Sequence, residues 1–282
     1  MDEANRTHMT NTKMDPTRIE VLFAPAEQVA LKDRDLSDTV CVVFDVLRAT
    51  STMAEALANG AEAIVPVREI AEAVELKRAN PDWLLAGERD GLRITAEISG
   101  AMDFDLGNSP REVTRNVVAG KTIVMTTTNG TGALKACVGA RRVLIGSFLN
   151  YGAVVDELIK MAPNHILLVC AGTGSECATE DTLCAGAMLQ DLESGLSRVD
   201  MTDSACIADA YYSSGCGPTG RGKFDLSGGA NGRRLLDIDV LASDVKYCAK
   251  MSAHDLLGEM QSDGKIRVLK TASIPSPKGG VK

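Results

Sequence analysis

The fold is decided by a buried strand and the polar turn that follows it, VCVVFDVLRATST at residues 40–52. Five consecutive apolar residues, Val40 to Phe44, predict a strand that helices cover on both faces, as in a parallel sheet. The apolar run stops at Asp45, and a helix is predicted over Ser51–Ala58. Because ligands of open parallel sheets bind beyond the carboxyl ends of the strands, this turn is where we look for function.

The alternation of strand and helix continues on both sides of this segment. The predicted strands are Ile19–Phe23, Val40–Asp45, Ala63–Val67, Trp83–Ala86, Thr122–Thr126, Arg142–Gly146 and His165–Cys170. The predicted helices are Ser51–Ala58, Ile70–Asn80, Pro110–Ala119, Gly132–Cys137, Tyr151–Met161 and Thr179–Leu192. Alternating elements of this kind predict an α/β protein, here a three-layer α/β/α sandwich with a largely parallel central sheet.

The pattern changes after Leu192. Residues 203–212 and 233–260 are predicted to be helical, and Lys265–Leu269 to form a last strand. The intervening residues 213–232 are rich in glycine, which favours either a mobile loop that covers the site or a disordered insertion. We therefore predict one domain over residues 19–270, a disordered N-terminal tail at 1–18 and a C-terminal tail at 271–282.

Composition limits the class of partner. Asp and Glu together number 38 against 30 Lys and Arg, which gives a formal net charge of −8. Nucleic-acid and membrane-surface binders carry a basic face, so we expect neither kind of partner. Any anionic ligand must then be held by a local cluster of donors. The apolar runs fall far short of the ~20 residues that a membrane span needs.

The cysteines and histidines lack the spacing of a zinc site, and the cysteines indicate a reducing compartment. Eight cysteines are scattered without CxxC spacing, and the three histidines are remote from one another, so we expect no zinc site. The polar opening of the chain lacks the apolar core of a signal peptide. We therefore expect reduced thiols, several of them buried in strands, and a cytoplasmic protein. A homo-oligomer is left open.

Polar residues gather just after the predicted strands. Four or five loops at one sheet edge combine arginines, hydroxyls, amides and carboxylates. Hydroxyls and helix-start N–H groups donate to phosphate oxygens, arginines bind phosphate bidentately, and carboxylates suit Mg²⁺. We therefore predict a Mg²⁺ ion beside a small anionic phosphorylated substrate. The predicted catalytic residues are Asp45, Arg48 and Glu180; the substrate-binding residues are Arg48, Thr50, Ser51, Arg89, Asn108, Ser109, Thr128, Asn129, Gly130 and Thr131; the metal ligands are Asp45, Glu180 and Asp181.

Several of these residues also have a purely structural interpretation. Thr50 and Ser51 could cap a helix, and Glu180 with Asp181 could complement a helix dipole. Asp45 could pair with Arg48 to fix the loop between them. The functional interpretation therefore rests on the convergence of several loops at one sheet edge.

Two other functions compete with phosphate-ester hydrolysis. The segment Gly172–Ser175 follows a strand and opens a helix, which is the setting of a dinucleotide-binding oxidoreductase, although its third glycine position holds Cys177. The same sheet edge could also belong to a non-catalytic small-anion binding protein. A P-loop and a GxSxG elbow are both missing from the sequence.

Five ordered motifs carry a resemblance to a known family: FDVLRATST at 44–52, GER at 87–89, FDLGNSP at 104–110, TTNGT at 127–131 and CAG at 170–172. On these motifs the chain resembles the 2-phosphosulfolactate phosphatase family over residues 19–269. The resemblance implies a Mg²⁺-dependent hydrolase that removes phosphate from 2-phospho-3-sulfolactate, a step toward coenzyme M or sulfolactate. It also implies a three-layer α/β/α fold. Whether Asp45 attacks phosphorus or holds the metal is left open.

Overall fold

The computed structural model describes residues 15–216 and 225–269. The strands are β1 (Thr17–Leu22), β2 (Thr39–Phe44), β3 (Ala63–Pro66), β4 (Leu84–Arg89), β5 (Leu92–Arg93), β6 (Thr122–Thr126), β7 (Arg142–Gly146), β8 (His165–Cys170), β9 (Val199–Met201), β10 (Gly258–Met260) and β11 (Ile266–Val268). The α-helices are α1 (Pro25–Val29), α2 (Ala49–Ala58), α3 (Ile70–Ala79), α4 (Ala96–Ser99), α5 (Arg115–Val118), α6 (Gly130–Ala136), α7 (Tyr151–Met161), α8 (Thr179–Gly195), α9 (Asp203–Tyr211), α10 (Ala230–Leu236) and α11 (Ala242–Cys248). Short 3₁₀ segments cover Ala30–Asp33, Phe148–Asn150 and Leu226–Gly228, and a π turn covers Tyr212–Cys216.

The described strands form one sheet in the order β5-β4-β6-β3-β11-β10-β7-β2-β8-β1-β9. Two parallel blocks make up most of it, β4-β6-β3 on one side and β7-β2-β8-β1-β9 on the other. The antiparallel hairpin β10–β11 joins the blocks, since β10 pairs with β7 and β11 pairs with β3. The predicted α/β class, a largely parallel sheet flanked by helices, is confirmed.

Strand β2 lies in the middle of the larger block and shows why the sheet needs a helical layer on each face. All six of its residues are buried. Val40, Val42 and Phe44 belong to the core cluster that contains α7 and α8, whereas Cys41 and Val43 belong to the cluster that contains α2 and α6. Full burial of a valine or phenylalanine side chain stabilises the fold by about 1.5–3 kcal/mol, so β2 anchors both layers and fixes the position of Asp45 at its end.

Most predicted elements are found within a few residues of their predicted ends, and three strands and helix α7 match at both ends. Strand β1 begins at Thr17, two residues before the predicted start of that strand at Ile19. The predicted helix Pro110–Ala119 is wrong over its first half, since only Arg115–Val118 is helical. There the Glu112 carboxylate accepts the N–H of Gly107 at 2.7 Å and holds a turn, in place of helical bonding.

The predicted helix over residues 233–260 is also corrected. The segment forms α10, α11 and strand β10 instead. Gly258, the first residue of β10, packs closely against β7. An added Cβ would lie 2.7 Å from Cδ1 of Ile145, so only glycine allows this close approach. Of the glycine-rich stretch 213–232, residues 217–224 lie outside the described residues, as do tail residues 1–14 and 270–282.

Two cysteines, Cys41 and Cys170, lie buried in strands as expected, whereas the other buried thiols belong to helices or helix ends. Cys41, Cys137, Cys170, Cys184 and Cys248 are buried and free, while Cys177 and Cys206 are exposed and free. In the described ranges 15–216 and 225–269, no helix is both long enough and apolar enough to cross a membrane.

Candidate active site

A cavity of about 230 Å³ lies where β2, β4, β6 and β8 end, at the carboxyl edge of the parallel blocks. It is lined by Asp45, Leu47, Arg48, Glu88, Asp90, Gly91, Asn108, Thr128, Asn129, Gly172, Thr173, Gly174, Asn231, Arg234 and Leu235. Loops from four strands therefore converge with helix α10 around one space. Of the predicted site residues, this cavity brings together Asp45, Arg48, Asn108, Thr128 and Asn129.

Asp45 lies at the cavity wall, directly after β2. Its Oδ1 accepts the N–H of Ala49 at 3.1 Å, and its own N–H donates to Oγ1 of Thr50 at 3.0 Å. A Cβ at Gly130, the first residue of α6, would collide with Oδ2 of Asp45, so glycine is required where the carboxylate meets this helix. Burial, helped by the charges of Glu88 and Glu180, raises the pKa of Asp45 to about 7 against the lowering effect of the Ala49 N–H.

Asp181 and Glu180 belong to the first turn of α8 and lie beside Asp45. Asp181 accepts the N–H of Val46 at 2.8 Å and that of Gly172 at 3.2 Å, so its carboxylate ties the loop after β2 to the loop after β8. Glu180 accepts from the side-chain amide of Asn231 at 2.9 Å. Burial, more than any other cause, raises the pKa of both carboxyls, and for Asp181 the charges of Glu180 and Asp45 add to it. Three buried carboxyls thus share one region and repel one another.

This donor set suits Mg²⁺ in its chemistry. Mg²⁺ prefers carboxylate oxygens and is commonly held by one or two carboxylates together with waters and substrate phosphates. Within residues 15–216 and 225–269, no group of three or more His, Cys, Asp or Glu side chains is arranged to hold a metal ion. The predicted ligand Asp181 is less suitable, because both of its carboxylate oxygens accept backbone N–H groups. Asp45 keeps Oδ2 without a hydrogen bond from the described residues, and the charge of Glu180 acts on Asp45, so these two carboxylates fit the smaller number of ligands.

Arg48 lies at the cavity wall but does not pair with Asp45, which corrects the structural alternative raised above. Its guanidinium donates to Oδ2 of Asp244 at 2.8 Å and to the carbonyl of Gly91 at 2.6 Å. The side chains of Arg48 and Asp244 are 2% and 0% exposed, and Ser109 donates its hydroxyl to the other Asp244 oxygen at 2.8 Å. The peptide bond between Leu47 and Arg48 is cis. This buried network joins the loop after β2 to α11.

Strand alternation separates Glu88 from Arg89 at the end of β4. Glu88 lines the cavity, where its carboxylate accepts the N–H and hydroxyl of Thr128 at 2.8 and 3.0 Å and the N–H of Gly91 at 2.8 Å. Arg89 does not line it, and its guanidinium donates to the carbonyl of Glu88 at 2.7 Å and to Oγ1 of Thr126 at 3.1 Å. Sequence reasoning missed Glu88, although the period of two along a strand places neighbours on opposite faces.

The cation that lines the cavity without an ion pair to any described residue is Arg234 on α10. It donates to the side-chain oxygen of Asn231 at 2.8 Å, and Asn231 in turn donates to the carbonyl of Leu47 at 2.7 Å. Both residues escaped prediction because they fall in segments assigned to the glycine-rich loop and to a continuous helix. Their i, i+3 spacing was the available signal that they share one helix face.

Most predicted hydroxyl donors are engaged within the protein. Thr50 caps the turn at Asp45, Ser51 donates to the carbonyl of Val46 at 2.8 Å, and Oγ1 of Thr131 accepts the N–H of Thr127 at 3.2 Å. Asn108 differs from them, because its buried Oδ1 has no hydrogen-bond partner among the described residues. Since Asn108 also lines the cavity, its side-chain oxygen is available to a ligand.

The loop Gly172–Ser175 does not have the electrostatics of a dinucleotide site. Gly172 and Gly174 have positive φ angles of 75° and 62°, and both line the cavity. The helix after this loop, α8, carries Glu180 and Asp181 buried in its first turn. A pyrophosphate at that helix start would lie against two carboxylates, which opposes the binding that a dinucleotide fold provides there.

Comparisons with known proteins agree with one another. The sequence profile of the family described as 2-phosphosulpholactate phosphatase matches residues 26–263. The chain is 36% identical over 221 residues to a protein of Clostridium acetobutylicum, covering 78% of this chain and 88% of that protein. It is 38% identical over 242 residues to a protein of Carboxydothermus hydrogenoformans, covering 86% and 92%. Both relatives are named probable 2-phosphosulfolactate phosphatase. The range matched by the family profile includes every residue of the cavity wall.

Proposed function

The chain belongs to the 2-phosphosulfolactate phosphatase family and is a phosphoric monoester hydrolase, and on that premise we propose that it hydrolyses 2-phospho-3-sulfolactate in the presence of Mg²⁺. The products are 3-sulfolactate, which serves sulfolactate or coenzyme M formation, and phosphate. The observation that carries the proposal is the convergence of Asp45, Glu88, Asn108 and Arg234 on one cavity at the sheet edge. The free thiols of Cys177 and Cys206, both exposed, support a reducing, cytoplasmic location.

Substrate binding in this proposal depends on Arg234 and on donors of the surrounding loops. The substrate carries a phosphate, a sulfonate and a carboxylate on three carbons, and each desolvated anion needs a partner. Arg234 supplies a guanidinium that is not neutralised by an ion pair with a described carboxylate. Arg48, whose charge Asp244 balances, contributes a fixed wall more than a free positive charge.

Hydrolysis requires that water add to phosphorus while the ester P–O bond breaks and the sulfolactate oxygen receives a proton. Asp45 and Glu180 would hold Mg²⁺, which when bound supplies Lewis acidity toward the phosphoryl oxygens. In the metal-free protein burial raises the pKa of Asp45 to about 7, and Mg²⁺ held there would favour the ionised carboxylate. Asn108 offers a side-chain oxygen that can accept from the attacking water or from the product hydroxyl. Asp181 keeps the loops after β2 and β8 in register.

The direct test is phosphate release from 2-phospho-3-sulfolactate. We expect steady release with Mg²⁺, loss of release with EDTA, and recovery when Mg²⁺ is added back. A panel of other phosphorylated three-carbon acids serves as the specificity control, since those without a sulfonate should be turned over more slowly. Full activity in EDTA would exclude the metal part of the proposal. Binding of the substrate without any turnover would instead favour the non-catalytic alternative.

Replacing Arg234 with alanine should mainly affect substrate binding. We expect Arg234→Ala to raise KM by about tenfold or more, because a charge-assisted hydrogen bond to an anion contributes about 1.5–3 kcal/mol. Arg233→Ala is the matched control: it removes the same charge from the neighbouring position of α10, which does not line the cavity. Steady-state kinetics of both variants decide the matter. Equal changes in KM for the two variants would mean that the substrate responds to the net charge of the protein and not to Arg234 in particular.

A further inference from the structure

A second cavity, of about 420 Å³, lies between α1, the turn before α3 and the end of α6. Its wall includes Lys32, Arg68 and Lys135, which come from three separate elements, and no carboxylate is among the described residues that line it. None of these cations forms an ion pair with a described residue. In a chain of net charge −8, three unpaired cations that converge on one concave surface require an explanation.

We propose that this cavity is a second binding site, separate from the catalytic cavity, for a small polyanion that carries two or more phosphate, sulfonate or carboxylate groups. Its volume lies within the range of about 300–1,000 Å³ that is typical of small-molecule sites. Three cations balance several anionic groups on one molecule, and Arg68 can engage one group bidentately. The side chains of Val29 and Val138, each 63% exposed, give the carbon skeleton an apolar contact.

The loop after β8 connects the lining of the second cavity to that of the catalytic cavity. Gln28, which lines the second cavity, donates to the carbonyls of Cys170 and Ala171 at 2.9 and 3.3 Å. Asn129, which lines the catalytic cavity, donates to the same Ala171 carbonyl at 3.0 Å. An added Cβ at Gly172 would lie 2.8 Å from Cδ of Pro25, so the two linings are packed against each other. The two sites are neighbours but have different residues.

The proposal does not depend on the substrate assigned above, and its deciding measurement is binding without turnover. We would titrate the metal-free protein with inorganic pyrophosphate in a calorimeter at a fixed ionic strength of about 0.15 M, where long-range surface fields are screened. The double variant Lys32→Glu/Lys135→Glu should bind pyrophosphate at this site at least about tenfold more weakly than the parent, because two attractive charges become repulsive. Its kcat should stay at the parent value, since neither lysine lines the catalytic cavity.

Two further variants separate this site from other sources of binding. Lys121→Glu places the same charge change at an exposed position outside the cavity and should leave pyrophosphate binding unchanged. Arg234→Ala alters the catalytic cavity and should leave the binding step assigned to the second cavity in place. The proposal is overturned if the parent binds no pyrophosphate, if Lys121→Glu weakens binding as much as the double variant, or if Arg234→Ala alone abolishes all binding.

Discussion

Asp45→Asn is expected to lower kcat by at least about a hundredfold, the magnitude typical of removing one electrostatic catalytic group, while the protein stays folded. The replacement keeps the shape of the side chain and an oxygen that can accept the Ala49 N–H, but it removes the charge at the cavity wall. Phosphate release in saturating Mg²⁺ measures the effect. Asp200→Asn, a change in an exposed ion pair on β9, is the control and should leave kcat unchanged.

The same variant has a stability signature that reports the buried, protonated state of the Asp45 carboxyl. Burial raises the pKa of Asp45 from 3.8 to about 7, so between these values the folded protein holds a proton that the unfolded chain has released. Folding therefore loses stability as pH rises through this window, and the variant escapes that loss. In EDTA, Tm of Asp45→Asn minus Tm of the parent should be larger at pH 8 than at pH 5. A variant that melts lower at both pH values and keeps full activity would contradict the catalytic role.

The elements that sequence reasoning predicted well are those whose physics is local. Strands β6, β7 and β8 were predicted at both ends because each is a short apolar run bounded by polar or glycine residues. Asp45 and Asn129 could be assigned to the cavity because they follow parallel strands, and such strands end at one sheet edge. In these cases the pattern and the position are determined by the same few neighbouring residues.

The missed features depend on contacts that no local pattern carries. Strand β10 has only three residues, too short for a clear alternation, and it is a strand because β7 and β11 pair with it. Asp244 lies 196 residues from Arg48, so the choice of Asp244 over Asp45 as its partner follows from the fold alone. Arg234 and Asn231 reach the cavity for the same reason, because the start of α10 packs against the loop after β2.

Asp244→Asn should have the largest effect on stability, a loss of about 3–5 kcal/mol in the free energy of unfolding, because it leaves Arg48 buried without its counter-charge. The pair is almost completely buried, so water cannot replace the lost carboxylate. Urea unfolding of the parent and variant measures the difference. Asp263→Asn is the control, since it breaks an exposed i, i+4 pair with Arg267 and should have little effect.

A double variant distinguishes the uncompensated charge from a simple loss of packing. Arg48→Met/Asp244→Leu removes both charges and fills the space with apolar side chains of similar size. If the unpaired guanidinium of Arg48 causes the loss of unfolding free energy in Asp244→Asn, the double variant should recover a large part of that free energy. The reason is that replacing a buried ion pair by apolar residues is often neutral or stabilising. The two substitutions should then be strongly non-additive in a double-mutant cycle. Additive losses, or a loss in Asp244→Asn no larger than that in Asp263→Asn, would show that the Arg48–Asp244 pair does not hold the loop after β2 against α11.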